Sequence, residues 1–213
     1  MKELQIKAAL IDYLLKKSNA NKVCISHEVR FNDSNRRADL VYLGKYIEAF
    51  EIKSKYDSIT TLRSQINDYQ KCFQKTSVVT TQNHLLKVLQ VCPESIGILL
   101  IDENSNISEF RKAPVRKKLS KIALLRMVKG KDINQKTRTF GTIAKTDDIN
   151  TKRTKLSLLL NLKETIAFAK SSIWDSSIKQ YESFLKERGK VTSTDDIFLL
   201  SLTPRSSILQ NHS

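Results

Sequence analysis

Glycine is scarce, with five residues in 213. No Gly-rich phosphate loop, G-x-G-x-x-G dinucleotide turn or G-x-S-x-G nucleophile elbow occurs, which removes the commonest nucleotide-binding and serine-hydrolase signatures. Only three cysteines are present, Cys24, Cys72 and Cys92. They are odd in number and form no C-x-x-C pair, so they read as reduced, buried thiols of a cytosolic protein rather than a disulfide framework or zinc site. His27, His84 and His212 have no metal-ligand spacing, and no histidine is placed to activate a cysteine. No apolar run approaches the roughly 20 residues that span a bilayer. The first residues, MKELQIKAAL, carry an acid at Glu3 and no cleavage pattern, unlike a signal peptide. The expectation is a cytoplasmic protein without a membrane partner. Internal repeats and low-complexity tracts are also missing.

What is present in excess is positive charge, with 37 basic and 22 acidic residues and a net +15. Residues 1–110 hold 15 basic and 13 acidic side chains; residues 111–213 hold 22 and 9. A nearly balanced half joined to a strongly basic half suggests an anionic partner, most simply nucleic acid. The plain alternative is a solvated basic surface.

The pattern of the first half predicts an amphipathic helix over 3–17, carried by Leu4, Ala8, Ile11 and Leu15. A strand follows at 23–31, then a polar turn, "NDSNR". Two more strands, about 38–43 and 46–53, are joined by a tight turn at Gly44–Lys45. Asp57 or Ser58 can cap a helix whose stripe is Ile59, Leu62, Ile66, Tyr69 and Phe73. A strand at 76–81, a helix at 83–92, a strand at 96–102 and a short strand in "ISEFRK" complete it. The order α-β-β-β-α-β-α-β predicts an α/β fold with a mixed central sheet flanked by helices: hairpins first, parallel pairing later. From Arg111 a basic, mainly helical extension begins. Residues 129–155 read as a long flexible loop, helices are expected at about 156–170 and 174–188, and the tail from Ser201 reads as loosely structured.

Three charges interrupt the apolar strands: Asp39, Glu51 and Lys53. Residues i and i+2 of a strand share a face about 6.5–7 Å apart, so Glu51 and Lys53 project together while Phe50 and Ile52 face the core. A symmetric turn at Gly44–Lys45 sets Asp39 opposite Phe50, bringing the three charges together at a sheet edge. A surface salt bridge would explain them, but buried and unpaired they would be costly. A divalent cation changes that balance, because two carboxylates neutralise it and are stabilised in return. Mg²⁺ takes one or two carboxylates, waters and phosphate oxygens, and a nearby lysine can orient water and offset charge growing on phosphorus-bound oxygens. The set therefore suits phosphodiester hydrolysis.

Asp39, eleven residues, then Glu51-Ile52-Lys53 resembles the PD-(D/E)XK nuclease superfamily, with Ala38 where the motif has proline. "QINDY" adds Gln65 and Tyr69 at i and i+4 on the next helix, which resembles the Q-x-x-x-Y motif of the RecB-like branch. Tyr69 also lies on the apolar stripe and could be core alone. The resemblance covers residues 3–110. It implies a restriction-endonuclease-like core at 1–110, Asp39 and Glu51 as ligands of Mg²⁺ or Mn²⁺, Lys53 as the water-orienting base, and Gln65 and Tyr69 as supports. The family's extra upstream acid falls on Glu28, or alternatively on Glu3. Arg36, Arg37 and Lys55 beside the site, and Arg116, Lys117, Lys118 and Lys121 in the extension, are the expected phosphate contacts. The function implied is a metal-dependent deoxyribonuclease, and paired cuts would favour a homodimer. A non-catalytic nucleic-acid-binding module on the same fold, an RNA-directed nuclease, and a subunit of a defence or recombination complex remain alternatives.

Overall fold

The computed structural model describes residues 1–31 and 36–201. Most of the expected turn at 32–36 and of the expected loose tail lies outside these residues. The described elements are α1 (Glu3–Lys16), β1 (Cys24–Phe31), β2 (Arg36–Leu43), β3 (Ile47–Lys53), α2 (Leu62–Cys72), β4 (Lys75–Thr81), α3 (Leu85–Val91), β5 (Gly97–Ile101), β6 (Ile107–Arg111), α4 (Lys121–Met127), α5 (Gly130–Thr137), α6 (Ile149–Leu159) and α7 (Leu162–Glu187). The strands form one mixed sheet in chain order. β1, β2 and β3 run as an antiparallel meander, β3, β4 and β5 are parallel across α2 and α3, and β6 returns antiparallel. No helix among the described residues is long and apolar enough to cross a membrane.

Alternation along the parallel strands separates two cores. Val78 and Ile98 join Leu62, Ile66, Leu85 and Val88 beneath α2 and α3; Val79 and Leu99 point the other way, into the larger cluster with Phe50, Ile52 and α1. Glu51 pairs in register with Val78, so it faces the α2 side, while its neighbours Phe50 and Ile52 fill the larger core as expected. β3 lies in the middle of the sheet and is buried on both faces. Glu51 and Lys53 are therefore interior groups of a central strand, not edge residues.

The hairpin register differs from the symmetric expectation. Leu40 pairs with Phe50 and Leu43 with Ile47, one residue out, because the loop holds three residues and closes through Gly44 N–H to the Tyr46 carbonyl at 3.2 Å. The Tyr42 ring packs over Gly44, where a Cβ would stand 2.6 Å from it and require the ring to move. The helix after β3 starts at Leu62 rather than at Asp57 or Ser58, since Asp57 accepts the Ser54 N–H instead and tightens the turn before it. In α1 the buried residues are Ile6, Lys7, Ala8, Leu10, Ile11 and Leu14: Ala8 and Ile11 of the expected stripe are among them, Leu4 and Leu15 are half-buried, and the stripe contains a lysine.

The basic half departs most from expectation. Residues 129–155 form α5 and the start of α6 instead of a flexible loop. Only Ile133, Ile143 and a few neighbours are buried apolar anchors here, so hydropathy shows little periodicity. Order comes from side chain–backbone bonds. Asp148 accepts the Asn150 and Thr151 amides, Lys152 donates to the Lys145 carbonyl and to Asn134, and Arg153 donates to the Leu125 and Val128 carbonyls that end α4. The last two helices also divide elsewhere. A capping box pairs Asn161 with the Glu164 amide (2.9 Å) and Glu164 with the Asn161 amide (2.8 Å), so α7 starts at Leu162 and runs unbroken for 26 residues, about 39 Å.

α7 lays Ala169, Ile173, Tyr181 and Phe184 against the larger core, with Ser177 Oγ donating to Ser26 Oγ (3.1 Å) and the Tyr181 hydroxyl to the Ala20 carbonyl (3.1 Å). The basic half thus shares one apolar cluster with the sheet. Trp174, the sole tryptophan, packs on that cluster from α7. Its fluorescence and far-UV circular dichroism are expected to lose structure at the same temperature; two separated midpoints would show that α7 melts independently of the sheet.

Candidate functional site: a carboxylate row across three strands

The register sets three acids side by side. Along β1 and β2, paired residues keep a constant offset from Cys24↔Leu43 to Phe31↔Arg36, and that offset puts Glu28 opposite Asp39. The β2–β3 offset likewise puts Asp39 opposite Glu51. Neither rung forms: the first ladder skips from His27↔Leu40 to Val29↔Ala38, and the second stops at Leu40↔Phe50. Like charges directly opposite one another oppose pairing, and here the sheet opens along the acidic row. Two local devices hold the opening. Asp39 Oδ2 accepts the Ile52 N–H at 2.7 Å, taking an amide that would otherwise need a backbone partner. Glu28 adopts φ 53°, a left-handed conformation that costs a non-glycine residue about 1–3 kcal/mol.

Glu28 is thereby joined to α1. The Lys7 ammonium, 2% exposed, donates to Glu28 Oε1 at 2.8 Å, contacts Glu3 Oε1 at 2.7 Å and donates to His27 Nε2 at 3.0 Å. An ammonium has no acceptor, so His27 is bonded as the Nδ1–H tautomer, and Nδ1 lies 3.1 Å from Ser201 Oγ. Burial keeps His27 below its ordinary value. Burial opposes ionisation of Glu28 too, but the hydrogen bond and charge of Lys7 work against it and the carboxyl is held below its ordinary value. Asp39 goes the other way: burial first, then the charge of Glu51, push it up to about 8 against the pull of Lys7 and the Ile52 amide. Burial disfavours the Lys7 charge, yet Asp39 and Glu28 more than restore it and its value is raised. One oxygen each from Glu3, Glu28 and Asp39 lie within 4.8 Å of one another, so both upstream acids weighed from the sequence meet Asp39.

Glu51 is closed off from this trio. Its Oε1 lies 2.8 Å from Lys53 Nζ and its Oε2 accepts the Tyr69 hydroxyl at 2.6 Å, with all three side chains buried. Tyr69 is fixed by edge-on packing against Phe31, centroids 5.0 Å apart, and by Phe73. Its role as a support for Glu51 and its place on the apolar stripe are compatible: the ring packs and the hydroxyl bonds. Gln65 is turned elsewhere, its Oε1 accepting from Thr61 Oγ1 at 3.2 Å. With Asp39 protonated below about 8, the ionised acids Glu3, Glu28 and Glu51 face the buried ammoniums of Lys7 and Lys53, an excess of one negative charge, and Arg37 approaches Glu28 Oε2 at 3.3 Å from the solvent side.

The expected phosphate contacts are scattered. Arg36 binds α2 through Asp68 (3.2 Å) and Ser64 (2.9 Å). Lys55 and the 70%-exposed Tyr56 form a cation–ring pair just past the site strand. Arg116 reaches Ser95, and its amide bonds the Gln74 carbonyl where β4 begins; Lys121 donates to the Leu160 carbonyl. That end of the sheet is level with Glu48, three residues or about 10 Å along β3 from Glu51. Arg116 and Lys121 are thus structural ties remote from the carboxylates, and Lys117 and Lys118 are exposed next to them. The residue that the sequence reading missed is Lys7. Its signal was a lysine on α1's apolar stripe four residues after Glu3.

Two substitutions test these assignments. The folded Asp39 carboxyl, at about 8, stands above its unfolded value of 3.8. Between those values the native state holds a proton that the unfolded chain releases, so this group makes stability fall as pH rises towards 8. Asp39→Asn keeps an acceptor for Ile52 and is expected to flatten that slope in urea titrations and to raise stability at pH 8 by about 1 kcal/mol. Tyr69→Phe leaves a buried carboxylate oxygen without its donor and is expected to lower stability by about 2 kcal/mol in the same assay.

Comparison with known proteins bears on the whole chain. Protein cII of Enterobacteria phage P4 is 26% identical over 212 residues, covering 96% of this chain and 80% of that protein. Among solved structures, the SPO1766 protein of unknown function from Silicibacter pomeroyi aligns with 69% of this chain and 99% of its own, at 17% identity and a TM-score of 0.43. The family described as Bacteriophage P4 protein cII matches residues 1–205, a span that includes α1, the acidic row and the whole helical half. The chain belongs to the Bacteriophage P4 protein cII family.

Proposed function

We propose that this chain is a metal-dependent nuclease that hydrolyses phosphodiester bonds in DNA, with a restriction-endonuclease-like core of the PD-(D/E)XK type. The observation that carries the reading is the acidic row, Glu28, Asp39 and Glu51, with Lys53 bonded to its last member. A fold gains no stability from three carboxylates abreast in an interrupted sheet; a site that holds a cation and a phosphate needs them. The donor set fits Mg²⁺ or Mn²⁺. It is all oxygen, three of its atoms lie within 4.8 Å, and burial together with the charge of Glu51 holds Asp39 up, a cost that a bound cation would relieve. Glu3, Glu28 and Asp39 would hold the ion. When bound, it supplies polarisation of a phosphoryl oxygen and a more acidic water.

The chain's own groups have separate parts. Glu51 and Tyr69 position the Lys53 ammonium, which orients water and bonds a phosphoryl oxygen as its charge grows. A cleft of about 1190 Å³ between one side of α1 and the β5–β6 turn is lined by three basic and three acidic side chains and by none of the row. It is too balanced to guide a polyanion. DNA would instead reach the row from the side of Arg37, which contacts Glu28 from solvent.

Lys7 favours a second reading. Its ammonium stands among the same carboxylates and can serve as a permanent counter-ion, as a non-catalytic DNA-binding module would require. The two readings part in one experiment. Purified protein is incubated with supercoiled, linear and single-stranded DNA in Mg²⁺, Mn²⁺ or chelator, beside Asp39→Asn and Lys53→Gln. Metal-dependent cutting that drops by about 10²–10³ in both variants is the expected result. Absence of cutting with DNA binding retained would favour the module.

A further inference from the structure

We propose that α5 is a duplex-reading helix, which presents Lys131, Gln135 and Arg138 to the major groove of DNA. The proposal shares only its partner with the nuclease reading. It needs neither the carboxylates nor a metal, so either can fail alone.

The positive charge of the chain is concentrated in the sequence segment that contains this helix. From Arg111 to Leu159 there are fifteen basic and three acidic residues, a net +12 out of +15 overall, whereas residues 162–201 balance at six and six. Part of that charge is structural. Lys121, Lys152 and Arg153 donate to backbone carbonyls, and Lys155 pairs with Asp147 at 2.7 Å. α5 sorts its own residues in the same way. Its inner side is tied down: Ile133 and Thr137 are buried, and Ser172 of α7 donates to Asp132 at 2.5 Å and accepts the Lys129 amide at 3.2 Å; at the exposed margin Lys152 holds Asn134 Oδ1 at 2.9 Å. Lys131, Gln135 and Arg138 are exposed, and their side chains have no partner among the described residues.

These three stand at i, i+4 and i+7, with Arg138 still helical at φ −63°, ψ −20°. They form one stripe about 10 Å long within an arc of roughly 60°. A B-form major groove is about 12 Å wide and admits a helix; Arg is the usual partner of guanine and Gln of adenine, while Lys adds a base or phosphate contact. An ordinary solvated face would use its exposed positions for charge of both signs. This stripe carries no acid, and its central residue is a neutral amide that adds nothing to solubility. α6 packs against α5, Ser172 of α7 ties its first turn, and short helix α4 precedes it across Val128 and Lys129. Duplex DNA is favoured over RNA because the A-form major groove is too narrow and deep for side chains to read.

The test is fluorescence anisotropy with the full chain carrying Asp39→Asn, in chelator, against a labelled DNA duplex, the corresponding single strand and an RNA duplex. Lys131→Ala with Arg138→Ala is compared with Lys87→Ala plus Lys179→Ala, two exposed lysines on α3 and α7 that remove the same charge. The α5 pair is expected to weaken duplex binding on the order of tenfold more than the control pair and to lower the salt slope by about 0.9 for each phosphate no longer neutralised. Gln135→Ala should change the ranking of duplex sequences. Equal effects from both pairs, equal or tighter binding of RNA or single strands, or an unchanged ranking in Gln135→Ala would overturn the proposal. Because all these positions are exposed, matching thermal melts verify that each variant is folded.

Discussion

One buried ammonium organises the first half of this molecule. Lys7 comes from α1, the carboxylates it faces come from α1, β1 and β2, and the histidine it bonds sits next to one of them. Without a cation at that point, Glu3, Glu28 and Asp39 would crowd oxygen against oxygen in a region of low dielectric, where like charges repel far more than in water. The helix is fixed over the sheet as much by this electrostatic need as by Ile6, Leu10 and Ile11. Much of what surrounds it follows: the skipped rungs, the left-handed backbone at Glu28, the neutral His27 and the displaced titration of Asp39.

The second half uses the same side-chain chemistry for a different purpose. Its lysines and arginines end helices. Lys121 satisfies the last carbonyl of α6, and Arg153 satisfies two at the end of α4, so short segments with few apolar anchors hold a fixed path. A region can therefore be both highly basic and well ordered when the charge is divided between carbonyls within and solvent outside. Total charge overstates what is offered to a partner, since only the outward part is available to one.

The elements of the sheet were legible because each announces itself locally: β-branched runs in β1, β4 and β5, a glycine between β2 and β3, an apolar stripe on α2. Asp39, Glu51, Lys53 and Tyr69 stood out as charge or hydroxyl where apolar residues were expected, and the structure draws each of them to one region. What the sequence hid depended on long-range register or on polar ordering. A single extra residue in the Gly44–Tyr46 loop moves Asp39 from facing Phe50 to facing Glu51, and hydropathy does not register such a shift. Lys7 was overlooked because a lysine on an amphipathic helix is ordinarily taken as solvated. Residues 129–155 read as a loop because capping aspartates and carbonyl-seeking lysines leave no periodic trace. The Asn161–Glu164 box, by contrast, was visible as N-x-x-E and would have placed the α6–α7 boundary.

Glu28 brings two opposed demands to one position. Its backbone has the conformation that glycine adopts most freely, yet the pocket draws on a long carboxylate whose two oxygens reach in different directions, one to Lys7 and one to Arg37. Glycine would release the strain and lose the acid. Aspartate would keep the acid and tolerate the backbone, but it is one methylene too short to span both cations. Glutamine would keep the length and lose the charge. Mutational drift at this site is consequently confined: each single step gives up something the others retain.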